Sequence, residues 1–226
     1  GVTKDFLLDL MFYIIITPII SVTLTRIMFQ SENAMIVDDA LQRIDSVLNL
    51  KPLAEPKQPE HPNGASVQLN HVHFSYDGKN QVIKDISLSI PAGQTVAFVG
   101  PSGGGKTTLA NLICRFFDPQ NGQVKIGGVD VKNIAKEELM NTVSFVFQNS
   151  RLIKASILEN VRMGKPNAAR EEIMAALHNA QCDDILEKLP QGADTVIGTK
   201  GVYLSGGEQQ RIAIARVMLK NAPIVI

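Results

Sequence analysis

Neither sign of charge dominates this sequence. Lys and Arg number 22, Asp and Glu number 22, and the formal net charge is zero, so no global field recruits nucleic acid or an acidic substrate. Cysteine is scarce as well. Cys114 and Cys182 are the two present, far apart and without Cys-x-x-Cys or Cys/His spacing, which fits reduced thiols, packed as small hydrophobes, in a cytosolic domain better than a disulfide or zinc framework. The chain has no initiator Met, no basic start and no small-residue cleavage site, so a signal peptide is not expected, and Gly1 is expected to mark a cut within a longer protein. Apolar residues are not scarce: they make up 45% of 226 residues, ample for a buried core in one large domain or two small ones.

The first residues break the pattern of a soluble protein. Phe6 to Leu24 reads FLLDLMFYIIITPIISVTL, about 20 residues, enough to cross a hydrocarbon layer roughly 30 Å thick as a helix. Asp9 is its single charge and is expected to face a bundle interior or the headgroup region rather than lipid, the headgroup region being preferred. Pro18 is expected to kink the helix, which neighbouring membrane helices accommodate. From Glu32 to Leu50 apolar residues recur at Ile36, Val37, Ala40, Leu41, Ile44, Val47 and Leu48, a helical spacing that carries the helix onward into the cytosol. Lys51 to Ala65 then places prolines at 52, 56, 59 and 62, which exclude helix and sheet interior and mark a linker.

Beyond the linker the pattern changes. Val67 to Phe74 and Val82 to Ile90 alternate as two strands of an antiparallel flap joined by the turn Asp77-Gly78-Lys79-Asn80. Gln94 to Val99 reads as a short apolar strand and Thr107 to Phe117 as a helix. Between them stands Gly100-Pro101-Ser102-Gly103-Gly104-Gly105-Lys106-Thr107. Strand, glycine loop and helix in that order confirm a phosphate-binding loop, the Walker A pattern. The glycines let consecutive N–H groups turn toward phosphates, and the helix N-terminus adds positive potential. Lys106 is expected to bridge the β- and γ-phosphates of ATP, Thr107 to ligate Mg2+, and Thr108 to reach the α-phosphate. Gly122 to Val131 reads as a hairpin turning at Gly127-Gly128, and Val143 to Phe147 as a buried strand ending at Gln148. Ala168 to Ala180 and Asp183 to Leu189 read as two helices.

Leu204-Ser205-Gly206-Gly207-Glu208 supplies a second phosphate-seeking helix end. Ser205 and Glu208 have capping-box spacing and start a helix through Leu219, with Pro223 beyond it. Gly206 and Gly207 leave its amide groups uncovered.

A phosphate-binding loop followed by Leu-Ser-Gly-Gly and Gln-Gln-Arg resembles the ATP-binding cassette (ABC) ATPases, and the resemblance covers nearly the whole chain. It implies an α/β P-loop NTPase core with an antiparallel β flap and an inserted α-helical subdomain, at about 150–215, preceded by one transmembrane helix. Residues 1–50 are then the end of a transmembrane domain, with the span at about 6–25, 51–65 the linker, and 66–226 an incomplete nucleotide-binding domain. The resemblance further implies that Tyr76 stacks on adenine and that Gln148 reaches the metal or the attacking water. Ser205, Gly206, Gly207 and Glu208 would close over an ATP held by a second, partner half-transporter, identical or not. Two positions depart from the pattern: Ile153 stands where a Phe is usual, and Thr199 where exporters usually carry a Glu.

The Walker B Asp, the catalytic Glu and the switch His would all lie beyond Ile226, so the 226 residues alone are expected not to turn over ATP. The implied function is the ATP-binding subunit of a multi-pass exporter-type transporter, with its nucleotide domain in the cytosol and a small molecule, lipid or peptide as substrate. Two rivals remain: a soluble ABC ATPase of non-transport function, and a regulatory half-transporter that binds ATP without hydrolysing it.

Overall fold

The structure, a computed structural model, describes residues 3–198 and 202–226. The expectation at Thr199 therefore lies outside the described residues. The chain divides into two units, one ending at Pro52 and one beginning at Leu53.

The first unit is one helix, α1 (Lys4–Leu48), 45 residues long. Its most apolar window has a mean hydropathy of 2.1. Apolar side chains such as Phe6, Ile14, Ile20 and Leu24 are exposed. The hydroxyls in this stretch are satisfied by the helix itself: Thr23 donates to the Ile19 carbonyl at 2.7 Å and Thr25 to the Ser21 carbonyl at 2.9 Å. Internal satisfaction of this kind is what an environment without water demands. Pro18 lies inside α1 without ending it.

The second unit opens with β1 (Val67–Phe74) and β2 (Ile83–Ile90), which pair antiparallel. β3 (Asn121–Ile126) and β4 (Val129–Asp130) complete a sheet ordered β2-β1-β3-β4. β1 shifts register between Leu69 and Val72 and again between Val72 and Phe74 against β2, and between Asn70 and His73 against β3. His71 and Asp85, whose side chains meet at 2.7 Å, both have positive φ. The extra residue at 70–71 keeps Val72 and Phe74 inward after Val67 and Leu69, so the irregular ladder preserves one buried face. Against that face pack Leu109, Leu112 and Ile113 of α2 (Lys106–Ile113), with Leu139 of α3 (Lys136–Thr142). α2 is shorter than its sequence reads because Arg115 takes a positive φ just after Cys114 caps it, turning Phe116 and Phe117 out of the helix.

β5 (Val143–Ser144) and β6 (Ile224–Val225) pair in parallel, and the bonding continues through Val146 N–H to the Ile226 carbonyl at 2.8 Å. Gln94 to Val99, expected as a strand, belongs to neither sheet among the described residues. A cavity of about 530 Å³ separates Gln94, Val96 and Phe98 from Ile224 and Val225, so the segment has no ladder to join.

The remaining helices build a second core. α4 (Ile157–Arg162), α5 (Arg170–Asn179), α6 (Asp183–Glu187) and α7 (Gly206–Lys220) bury Ile157, Ile173, Leu177, Ile185, Ile212 and Leu219 together. Lys220, in the last turn of α7, ties this layer to the first: its Nζ donates to the Val143 carbonyl at 3.0 Å and to that of Met140.

Candidate nucleotide-binding site

Residues 100–105 deliver the chain to the start of α2, and Gly105 makes the final turn. Its φ is +81°, and an added Cβ would sit 2.7 Å from Ile83 Cδ1 on β2, so the backbone conformation and the neighbouring strand both demand glycine. Lys106 opens α2 and folds back over the loop, donating to the Gly100 carbonyl at 2.9 Å and the Pro101 carbonyl at 2.7 Å. Thr107 beside it is exposed.

A cavity of about 510 Å³ is lined by Lys106 and Thr107 on one side and by Phe145 to Asn149 on the other. It brings Gln148 to the lysine of the glycine loop. No Asp or Glu lines it. Among the described residues no group of three or more His, Cys, Asp or Glu is placed to hold a metal. The available donors are the neutral oxygens of Thr107 and Gln148, a set that suits a hard cation which takes most of its ligands from phosphate and water.

Thr108 is buried, and its Oγ1 accepts from the Tyr76 hydroxyl at 3.1 Å. The Tyr76 ring meets Phe74 and Phe117 edge-on, with centroids 4.8 and 5.1 Å away, and is 54% exposed. Two residues that the sequence reading missed fix this tyrosine. Gln120 accepts from the Ser75 N–H at 2.8 Å and donates to the Ser75 carbonyl at 2.6 Å, as a neighbouring strand would. Asp77 accepts from the N–H groups of Asn80 and Lys79 and from the Ser75 hydroxyl, which hold its carboxyl far below the usual carboxylate range. The Asp-Gly turn hinted at the second; nothing local signals the first.

The second helix end has the capping geometry that its spacing predicts. Ser205 Oγ accepts from the Glu208 N–H at 3.3 Å, and the Glu208 carboxylate accepts from the Ser205 N–H at 2.8 Å. The Ser205 hydroxyl also donates to that carboxylate, and these bonds lower the Glu208 pKa. Gly206 and Gly207 differ from Gly105: neither has a positive φ, and a Cβ on either would meet nothing within 4 Å. Among the described residues no hydrogen bond or ion pair joins Ser205 to Glu208 with Gly100 to Thr108. The two helix ends belong to different cores, α2 to the sheet layer and α7 to the helical one.

Comparison with known proteins bears on both ends. A family model described as ABC transporter matches residues 83–226. The β-(1→2)glucan export ATP-binding/permease protein NdvA of Agrobacterium vitis is 40% identical over 195 residues, 86% of this chain and 32% of that protein. The mitochondrial iron-sulfur clusters transporter of Candida glabrata is 42% identical over 173 residues, 76% of this chain and 24% of its own length. Among solved structures, a bacterial Atm1-family ABC exporter with ATP bound superposes with a TM-score of 0.75 at 38% identity, covering 84% of this chain and 33% of that one. The chain thus spans a third or less of the proteins it matches.

Proposed function

The chain belongs to the ABC transporter family, and we propose that it is the ATP-binding part of an exporter-type membrane transporter, coupling ATP binding and hydrolysis to the passage of a substrate across a bilayer. In this reading residues 1–50 end a multi-pass membrane domain, 51–65 link it, and 66–226 belong to the cytosolic nucleotide domain. The exposed apolar surface of α1 supports the membrane part, since side chains like these are stable against lipid or other helices. The relatives named for glucan export and for iron-sulfur clusters carry unlike cargoes; a small molecule, lipid or peptide all fit.

ATP would lay its phosphates over the N-terminus of α2. Lys106 then exchanges two neutral carbonyls for charged phosphate oxygens, a stronger pairing. Thr108 turns from the Tyr76 hydroxyl to the α-phosphate, and the Tyr76 ring takes adenine on its open face. Thr107 and Gln148 would hold Mg2+, which supplies charge neutralisation at the γ-phosphate. Gln148 orients the attacking water.

One observation carries the composite site. The fold of this chain gives no reason for glycine at 206 and 207, because neither backbone strain nor crowding requires it. A reason appears if a phosphate on a second chain must approach those N–H groups. The proposal is therefore a dimer of nucleotide domains, identical or not, in which Ser205, Gly206, Gly207 and Glu208 close over the ATP of the partner. In the intact transporter, Lys106→Ala is expected to abolish ATP binding; calorimetry showing unchanged affinity refutes the assignment. Extraction from membranes separates it from a soluble ATPase, since a transporter needs detergent. The cavity at Gln148 holds no carboxylate, so the 226 residues as a separate polypeptide are proposed to release no phosphate, and Lys106-dependent release by that polypeptide contradicts this.

A further inference from the structure

The segment after Gln148 is held by backbone bonds, from the Ile157 N–H to the Thr195 carbonyl at 3.3 Å and from the Ile197 N–H to the Ala155 carbonyl at 3.2 Å, and by one buried side chain. Asn160 on α4 is fully buried, and its carboxamide makes four bonds to the loop before it: it accepts from the Ile153 N–H at 2.9 Å and donates toward the carbonyls of Ile153, Ser156 and Ala155 at 3.0, 3.0 and 3.5 Å. The same residue is held from α7. Arg216 Nε donates to the Asn160 backbone carbonyl at 2.8 Å, and its Nη2 to the carboxamide oxygen at 3.4 Å.

Two further observations make this a rigid joint. Arg216 has no carboxylate partner among the described residues; burial lowers its pKa, so the guanidinium depends on those neutral oxygens. Gly164, just past α4, lies so close to α7 that an added Cβ would overlap the Arg216 carbonyl oxygen. The loop also reaches the other end of α7: Ile153 lines a cleft of about 180 Å³ with Leu204 and Gln209. Loop, α4 and α7 are thus joined through one buried carboxamide and one partly buried guanidinium, in a connected set of polar contacts.

We infer that Asn160 and Arg216 are a positioning pair that makes the loop at 153–156 and the Ser205 end of α7 move as one body. The inference rests on the transporter reading above. Closure of Ser205 to Glu208 over ATP then displaces the loop after Gln148, and a push on that loop displaces the helix end, because the two share a rigid packed joint rather than a soft hinge.

The test is hydrogen exchange on the full-length transporter with and without ATPγS and Mg2+, read at 150–157 and at 202–210. In the wild type both segments are expected to change protection with nucleotide. In Asn160→Ala and in Arg216→Ala the change at 202–210 persists while that at 150–157 falls at least threefold, and the Ile153 amide exchanges at least tenfold faster without nucleotide. ATP hydrolysis falls in kcat with KM kept, the double variant is no worse than either single one, and Arg216→Lys recovers part of the loss. Should the Ala variants fail to assemble, Asn160→Asp keeps the shape and the acceptors while removing the donors to the loop, and makes the same prediction. A wild type that responds while the variants still transmit to 150–157, or losses that multiply in the double variant, overturns the inference alone. A wild type in which neither segment responds overturns the transporter reading with it.

Discussion

The Tyr76 hydroxyl donates to Thr108 Oγ1 across 3.1 Å, joining the residue expected to stack on adenine to the residue expected at the α-phosphate. The bond fixes the ring beside the glycine loop while leaving 54% of the residue open to solvent. It also occupies Thr108. Ring and hydroxyl therefore pull apart on substitution. Tyr76→Ala removes a stacking surface worth about 1–3 kcal/mol, and is expected to weaken ATP binding roughly 5- to 150-fold. Tyr76→Phe keeps the ring and its edge contacts with Phe74 and Phe117, frees Thr108, and is expected to bind within about threefold of wild type on the same scale. Calorimetry on the intact protein decides it; an Ala variant with wild-type affinity removes adenine stacking from this site.

Gly105 tests the loop from the side of the fold. Gly105→Ala is expected to lower stability by about 1–3 kcal/mol, because the positive φ is strained for any residue with a Cβ, and because that Cβ meets Ile83 Cδ1 at 2.7 Å and the Val82 carbonyl at 3.3 Å. ATP binding falls with it, since the strain is relieved by moving the first turn of α2. A variant with unchanged unfolding temperature and affinity would show that the loop relaxes freely.

The phosphate-binding loop was legible because phosphate chemistry fixes residue types at fixed spacing, and the Ser205–Glu208 box because both partners lie within one helical turn. Other features depend on partners that no local window contains. Gln94 to Val99 has strand composition but joins no sheet, and the ladder is a property of its neighbours. The register shifts near His71 and Asp85 use positive φ at residues other than glycine, which composition does not announce. α3 has acidic residues in its first turn but no capping side chain, so its sequence carries no clear start signal. Gln120 mimics a strand against Ser75 from 45 residues away, and Asn160 anchors its loop by a carboxamide that any surface asparagine would share in sequence.

Acid should weaken the Ser205 helix end through Glu208. Its pKa is lowered in the fold, first by the Ser205 N–H and then by the Ser205 hydroxyl. A depressed carboxylate stabilises the fold fully above its unfolded value, 4.5, and that contribution is lost as pH falls through the lower folded value. Unfolding temperatures of wild type and Glu208→Gln are therefore expected to differ most above pH 4.5 and to converge at lower pH. Ser205→Ala, which removes the cap itself, costs about 1 kcal/mol above pH 4.5 and less in acid, because the Ser205 hydroxyl also donates to the ionised Glu208 carboxylate. A difference between wild type and Glu208→Gln that grows toward acid contradicts the assignment.

Gly206 and Gly207 allow stability and function to be separated at a single atom. A Cβ at either position meets nothing within 4 Å, and neither φ is positive, so Ala is tolerated by the fold. Ala also loses less conformational freedom than Gly on entering a helix, so Gly206→Ala and Gly207→Ala should hold or raise stability, by up to roughly 1 kcal/mol. In the dimer the outcome reverses. A methyl group placed over the N–H groups holds a phosphate of the partner's ATP away by about one carbon radius, and a lost charge-assisted contact of this kind costs about 1.5–3 kcal/mol. Hydrolysis by the intact transporter is expected to fall roughly 10- to 150-fold on that scale, while ATP still binds at Lys106 with wild-type affinity. Thermal unfolding, calorimetry and phosphate release measured on the same preparation give the three readings. Variants that are less stable and equally active would mean that the glycines serve the helix of their own chain, and would leave no reason for a second chain at this end of α7.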